Sequence, residues 1–542
     1  MELAIVNGRC YTMDENNSVV EAIAMKDGRI TAVGTSEEIR RGASGEAEIL
    51  DLEGRTVVPG FYDSHMHLLS YGHSKSMAYL DDCKSMDELI ETVKLHIADK
   101  QIPAGEWVEG RGWNETDYPE GRIPNRHDLD KISEEHMITL GRSCSFICVV
   151  NTRTLKELGL YDNPPKAEVG SVEVDEQGVP TGVFVGEATQ EIYSRIPKLG
   201  VEKIKKAIVA ACNDYITAGI TSVETDDFEL TRAGSFRDIL QAYFELDRDG
   251  QLPLRINKML YLPDKELMKE FFQTGLRTGD GSPFFRIGSF KLVADGSLGT
   301  RCSALMEPYC DDPSTLGESN FTQKELNEMV ALAYENGLSA VIDGMGDRGI
   351  YMALKAYEPI VEKNRDKDLR FCVDHCQITT EGIIEEFARL GVTGGLELVF
   401  VASDIAIAPD RVGEHRASMS YNWKRFIDLG VSVAAGSDSP VEDYSPILGI
   451  DAAVNRIGWD GKPEAGWHTD QCLTVEQAVR AFTIGGAYAN REEREKGTLE
   501  VGKYGDMVVL SQDIFAINKK ELKRVEVEKT ILDGKIVYDC EK

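Results

Sequence analysis

His65 and His67 stand two residues apart in Pro59-Gly60-Phe61-Tyr62-Asp63-Ser64-His65-Met66-His67, directly after an apolar run. Side chains alternate along an extended chain, so both imidazoles face one side and Met66 faces the other. A pair placed in this way can grip one cation, although the bare motif reads equally as two polar loop residues. Asp438, in Ala435-Gly436-Ser437-Asp438-Ser439-Pro440, ends another apolar run. A carboxylate there could ligate a metal and accept a proton from its water; read alone, an aspartate before Ser-Pro is a turn residue. His375, closing Phe371-Cys372-Val373-Asp374-His375, offers a third nitrogen, against the alternative of a hydrogen-bonded core histidine. The ligand reading is favoured because the chain has only 9 histidines and three of them end strand-like runs.

Lys291 ends an otherwise apolar strand and precedes Asp295-Gly296-Ser297, a costly place for an unpaired ammonium. Three readings stay open from the residues: a salt bridge to Asp295, a cation for a substrate carboxylate, or a lysine that has taken up carbon dioxide to become an anionic bridging ligand. Arg301 and Arg348 suit either a substrate carboxylate or structural ion pairs. Trp107, Trp113 and Tyr118 suit either a lid or local packing.

Such scattered residues need elements that bring them to one point. Strand-like runs at 56–63, 285–291, 338–343, 369–375 and 431–438 each end in a candidate ligand or base. Amphipathic stretches at 85–99, 201–218, 322–336 and 379–390 alternate with such runs. Repeated strand-then-helix implies a parallel sheet, and strand ends converge on one point only when the sheet closes; the expected fold is therefore a (β/α)8 barrel over 59–489. Short apolar runs broken by Asn7-Gly8 and Asp27-Gly28 at one end, and by Asp533-Gly534 at the other, read as β-structure.

With 542 residues, 42% hydrophobic and 28% charged, the chain is an ordinary globular one, long enough for a large domain and a smaller one. Its net charge of −32 disfavours nucleic acid and anionic membranes. Eleven cysteines without Cys-x-x-Cys pairs read as free thiols of a reducing compartment. With no basic-then-apolar leader and no long apolar window, the expected location is cytoplasmic.

At these residues the chain resembles the amidohydrolase superfamily, and within it the amidohydrolase-3 branch that holds YtcJ-like hydrolases and N-substituted formamide deformylases. The resemblance runs nearly end to end. It rests on the segments Pro59 to His67, Lys291 to Arg301, Gly346-Asp347-Arg348, His375-Cys376-Gln377, Gly436 to Glu442 and Lys496 to Leu510. It implies that the two β-rich ends, 1–58 and 490–542, form one small sandwich domain beside the barrel. It also implies one or two divalent metal ions, zinc for preference, held by His65, His67, His375 and Asp438. Lys291 would be a carbamylated bridge, and a metal-activated water would attack the carbonyl or amidine carbon while Asp438 acts as general base. Catalytic roles thus fall to Asp438, Lys291 and His375.

Three positions depart from the family pattern. Asp343 stands where relatives carry a strand-end histidine and supplies an oxygen instead. Phe146 and Phe400 stand where histidines usually face substrate. With Asp295, Arg301, Arg348 and Trp113 they are assigned to the substrate pocket. The expected activity is hydrolysis of a non-peptide C–N bond in a small amide, formamide or cyclic amide. The competing reading is a catalytically silent homologue that binds a small molecule. A homodimer is expected by family analogy alone.

Overall fold

The apolar run Thr56-Val57-Val58-Pro59 and the strand Phe61–Met66 are split at Gly60, where a β-carbon would lie 2.2 Å from Thr221 Oγ1. The chain leaves one sheet there and enters another. In the computed structural model, which describes residues 2–143, 147–164, 171–228 and 234–541, Phe61–Met66 (β1) is the first strand of an eight-stranded sheet. Ile220–Thr225 (β2), Arg255–Tyr261 (β3), Phe285–Val293 (β4), Ala340–Gly344 (β5), Cys372–His375 (β6), Thr393–Glu397 (β7) and Val433–Gly436 (β8) follow in order, each parallel to the one before. Beyond β8 the sheet meets β1 again: Asp438 N–H donates to His65 O at 2.7 Å and His67 N–H to Ser439 O at 2.8 Å. A further tie links Ser437 Oγ to Asp63 Oδ2 at 2.5 Å.

Helices follow the strands, among them Phe236–Arg248 after β2, Lys265–Phe272 after β3, Asp347–Lys363 after β5, Glu381–Leu390 after β6 and Pro446–Asn455 after β8. The helix Gln323–Glu335, after β4, shows why they form. Thr322 and Glu325 make a reciprocal capping box, and Leu326, Met329, Val330 and Ala333 bury one face at helical spacing. The closed parallel sheet with its helices is the expected (β/α)8 barrel, and it puts every strand's C-terminal end on one rim.

Both ends of the chain contribute to one six-stranded sheet, in which Thr56–Pro59 pairs antiparallel with Met507–Leu510. A four-stranded sheet holds Glu2–Val6, Ala22–Lys26, Arg29–Gly34 and Glu48–Asp51. Leu3, Ile5, Ile23 and Met25 of the smaller sheet share a buried core with Val57, Met507, Val509 and Ile531 of the larger.

The chain divides into two compact units. One comprises Met1–Leu68, Ala211–Glu229 and Ile239–Lys542; the other comprises Leu69–Ala210 and Leu230–Asp238. The second, whose larger segment is inserted between β1 and β2, has its own six-stranded sheet, running Ser171–Val174, Pro180–Val185, Ile147–Val150, Met137–Arg142, Trp107–Trp113, Ala78–Tyr79. Its core is centred on Leu89, Val108, Trp113, Leu129 and Leu140. Among the described residues, no helix is long and apolar enough to cross a membrane.

Candidate metal centre

Each strand end supplies a polar side chain to the barrel rim. β1 gives His65 and, one residue on, His67; the residue after β2 is Asp226; β4 carries Lys291; β5 carries Asp343; β6 ends Asp374-His375; β7 ends in Glu397; and Asp438 lies just beyond β8. Apart from His67, which is partly buried, these groups are all buried. His375 and Asp438 adopt positive φ of 71° and 57°, a conformation that costs roughly 1–3 kcal/mol outside glycine and recurs at functional sites.

His65 and His67 are oriented by their Nδ1 atoms. His65 Nδ1 donates to Asp374 Oδ2 at 2.7 Å, and His67 Nδ1 donates to the Asp226 carbonyl at 2.9 Å. Each ring therefore turns Nε2 toward the centre. The two Nε2 atoms lie 3.5 Å and 3.1 Å from the same Asp438 Oδ1. His375 completes the set, with Nε2 3.8 Å from Asp343 Oδ2 and Nδ1 3.3 Å from Glu397 Oε2. His65 recurs in three overlapping groups of close donor atoms: with His67 and Asp438, with His375 and Glu397, and with Asp343 and Asp374.

The electrostatics are those of a cation site. Asp226 Oδ2, Asp343 Oδ1, His375 Nδ1 and both Glu397 carboxyl oxygens are buried without a hydrogen bond. Leaving so many buried polar atoms unsatisfied is expensive, and a divalent cation among nitrogen and carboxylate donors would relieve it; the residues fit a metal ion. Burial alone would raise the Asp438 carboxyl, but the His65 and His67 hydrogen bonds and charges override it and hold it well below the usual carboxylate range. Glu397 is driven the other way, first by burial and then by Asp374, Asp438 and Asp343. Burial pushes His375 down to about 3, so the ring is neutral and available as a ligand.

Lys291 does not pair with Asp295. Its Nζ lies 3.1 Å from Asp343 Oδ2, 3.6 Å from Asp226 Oδ2 and 3.5 Å from His65 Nε2. Asp295 is instead a buried clamp: its carboxylate accepts backbone N–H bonds from Ala304, Met345 and Gly346 at 2.7, 2.9 and 2.8 Å, which fixes the loop after β5. Those bonds occupy it, and the substrate role assigned from sequence gives way to a structural one. Arg301 is likewise committed, with Nε and Nη2 on Asp311 at 3.1 and 2.8 Å. Arg348 donates through Nη2 to the Gly317 carbonyl at 3.1 Å. Trp113 is fully buried in the core of the inserted unit, its indole N–H bonded to Leu140 O at 3.0 Å, so packing replaces the expected substrate contact. Phe400 does stand at the site, its ring edge-on to His375 with centroids 5.8 Å apart. Phe146 lies outside the described residues.

Sequence reading missed Asp226, Asp374 and Glu397. A second lysine, Lys258 on β3, was also missed; wholly buried, its Nζ lies 3.6 Å from Asp226 Oδ1 and donates to the Thr225 carbonyl at 3.2 Å.

A parallel eight-stranded barrel with histidines and carboxylates gathered at its C-terminal rim offers a site able to hold a divalent cation. The chain belongs to the amidohydrolase family, whose model matches residues 48–538. It is 32% identical over 533 residues to YtcJ of Bacillus subtilis, covering 98% of each chain. It is 27% identical over 557 residues to the N-substituted formamide deformylase of Arthrobacter pascens, covering 99% of this chain and 98% of that one. The crystal structure of an uncharacterized metal-dependent hydrolase from Pyrococcus horikoshii superposes with a TM-score of 0.79 at 28% identity, covering 96% and 99% of the two chains.

Proposed function

We propose that the protein hydrolyses a non-peptide C–N bond in a small amide, formamide or cyclic amide, with zinc at the barrel rim. The observation that carries this reading is the convergence of His65 Nε2 and His67 Nε2 on one oxygen of an ionised Asp438. His65, His67, His375 and Asp438 would hold the cation, with Asp343 and Glu397 supplying further oxygens. A bound divalent cation acidifies water and polarises a carbonyl. Asp438 takes the proton from the water as its oxygen bonds to the carbonyl carbon. The same proton then passes to the nitrogen as the C–N bond breaks, giving a carboxylic acid and an amine. His65 and His67 are held in the working tautomer by Asp374 and the Asp226 carbonyl. Phe400 gives the pocket an apolar wall beside His375, which suits a substrate with an apolar nitrogen substituent. The relative named as an N-substituted formamide deformylase acts on that class of bond. For Lys291, whose Nζ lies 3.5 Å from His65 Nε2 and 3.1 Å from Asp343 Oδ2, we propose the carbamate, which would supply anionic oxygens to a bound cation.

The test is metal analysis of protein purified without chelator, joined to an amine-release assay on N-alkyl and N-aryl formamides and cyclic amides. One or two equivalents of zinc, and amine release abolished by chelation and restored by zinc, support the reading. A zinc-loaded protein inert towards the whole panel would point to a binding protein on the same barrel.

A further inference from the structure

The inserted unit holds a cavity of about 650 Å³ whose charge runs against that of the whole chain. The protein carries a net charge of −32, yet the cavity is lined by Lys75, Lys100, Lys198, Lys203 and Lys206, against only Glu106 and Glu109. Across this lining Lys203 Nζ approaches Glu106 Oε2 at a loose 3.9 Å. All five lysines are exposed, and Ile102, Trp107, Ile196 and Leu199 line the same cavity. A concave surface with clustered charge of one sign focuses field into its mouth and raises the local concentration of the opposite ion.

Local structure explains how the cavity is built. On the helix Val201–Thr217, Lys203, Lys206, Ala207 and Ala210 recur at the spacing of one face, so two cations and two small residues line the same wall. The helix Leu68–Ser74 lies directly against it, because Gly72 has no side chain: a β-carbon there would sit 2.1 Å from Ala207 O. The walls are thus fixed by a backbone contact, and the cavity is preformed.

We propose that this cavity binds a small amphipathic anion, a carboxylate or related acid whose acyl or aryl body lies on the apolar lining while the lysines hold its charge. Lysine suits such a ligand, because a mobile point charge on a long stem attracts an anion without imposing the fixed fork that arginine demands.

The test is calorimetric titration of the full-length protein with octanoate and with octan-1-ol, which share an apolar body and differ in charge. The same titrations are run on His67→Ala, which weakens the metal centre as a rival carboxylate site. Expected is one octanoate site present in both proteins, about tenfold or more weaker binding of the alcohol, and about tenfold weaker octanoate binding in the Lys198→Glu/Lys203→Glu/Lys206→Glu variant. Equal binding of acid and alcohol, no binding of either, or octanoate heat lost in His67→Ala but kept in the triple variant would each overturn the proposal. Should the triple variant fail to fold by circular dichroism, Ala210→Phe fills the space without touching the charge. Octanoate binding that survives that filling overturns it equally.

Discussion

Lys291 Nζ stands 3.1 Å from Asp343 Oδ2, and both side chains are buried at the ends of adjacent strands β4 and β5. Removing one partner of a buried ion pair leaves the other poorly compensated and typically costs about 3–5 kcal/mol. Asp343→Ala should therefore lower the unfolding free energy of chelator-treated protein, in which the carbamate is lost and Lys291 is a free ammonium, by about 3 kcal/mol in urea. A loss under about 1 kcal/mol would mean that Lys291 is not an ammonium held by Asp343.

Asp374 touches no substrate in this reading, yet its hydrogen bond to His65 Nδ1 sets the tautomer of a ligand. Loss of such a partner usually weakens metal affinity about 10–100-fold. Asp374→Asn should show that loss in competition with a chromophoric chelator, with the fold intact by circular dichroism. Unchanged zinc affinity would remove Asp374 from the site.

Burial holds His375 near 3 against an ordinary 6.5. Between those values the unfolded chain binds a proton that the native protein does not, so the contribution of His375 is complete above pH 6.5 and is lost as pH falls toward 3. In urea titrations of chelator-treated protein, stability should fall between about pH 7 and 5 more steeply in wild type than in His375→Asn. Parallel slopes would contradict the burial assigned to this ring.

Trp113 separates a packing role from a substrate role. Truncating a fully buried tryptophan costs about 3–5 kcal/mol, so Trp113→Ala should destabilise the protein by that amount in thermal or urea unfolding. Its kcat/KM, measured where the variant is folded, should stay within about twofold of wild type. A large loss of kcat/KM at unchanged stability would return Trp113 to the substrate pocket.

The barrel was legible wherever a strand was an apolar run ending in a polar residue, as at β1, β4, β5, β6 and β8, and those strands bear His65, Lys291, Asp343, His375 and Asp438. β7 escaped because it reads Thr393-Gly394-Gly395-Leu396-Glu397, too poor in apolar residues to resemble a strand. Its glycines have a tertiary cause: a β-carbon at Gly395 would lie 1.9 Å from Asp374 Oδ1. Glu397 disappeared from view with its strand. Asp226 follows Ile220-Thr221-Ser222-Val223, only half of it apolar, and sits in an acidic run, Glu224-Thr225-Asp226-Asp227, where nothing local distinguishes it. Asp295 misled because it lies beside a site lysine in sequence, whereas its partners are backbone amides of Ala304, Met345 and Gly346. The inserted unit carries its own strands and helices, and no boundary composition marks where it begins.

The antiparallel pairing of Thr56–Pro59 with Met507–Leu510 also has a meaning in time. Thr56–Pro59 leads through Gly60 straight into the strand that presents His65, so one β-ladder continues into the other. At about 5–20 residues per second, tens of seconds of translation separate the two halves of that ladder. The segment bearing His65 and His67 leaves the ribosome early and waits, with one hydrogen-bonding edge open, for a partner made near the end of synthesis. Throughout that interval the edge of Thr56–Pro59 that Met507–Leu510 later covers lacks its partner, the condition in which strands pair wrongly.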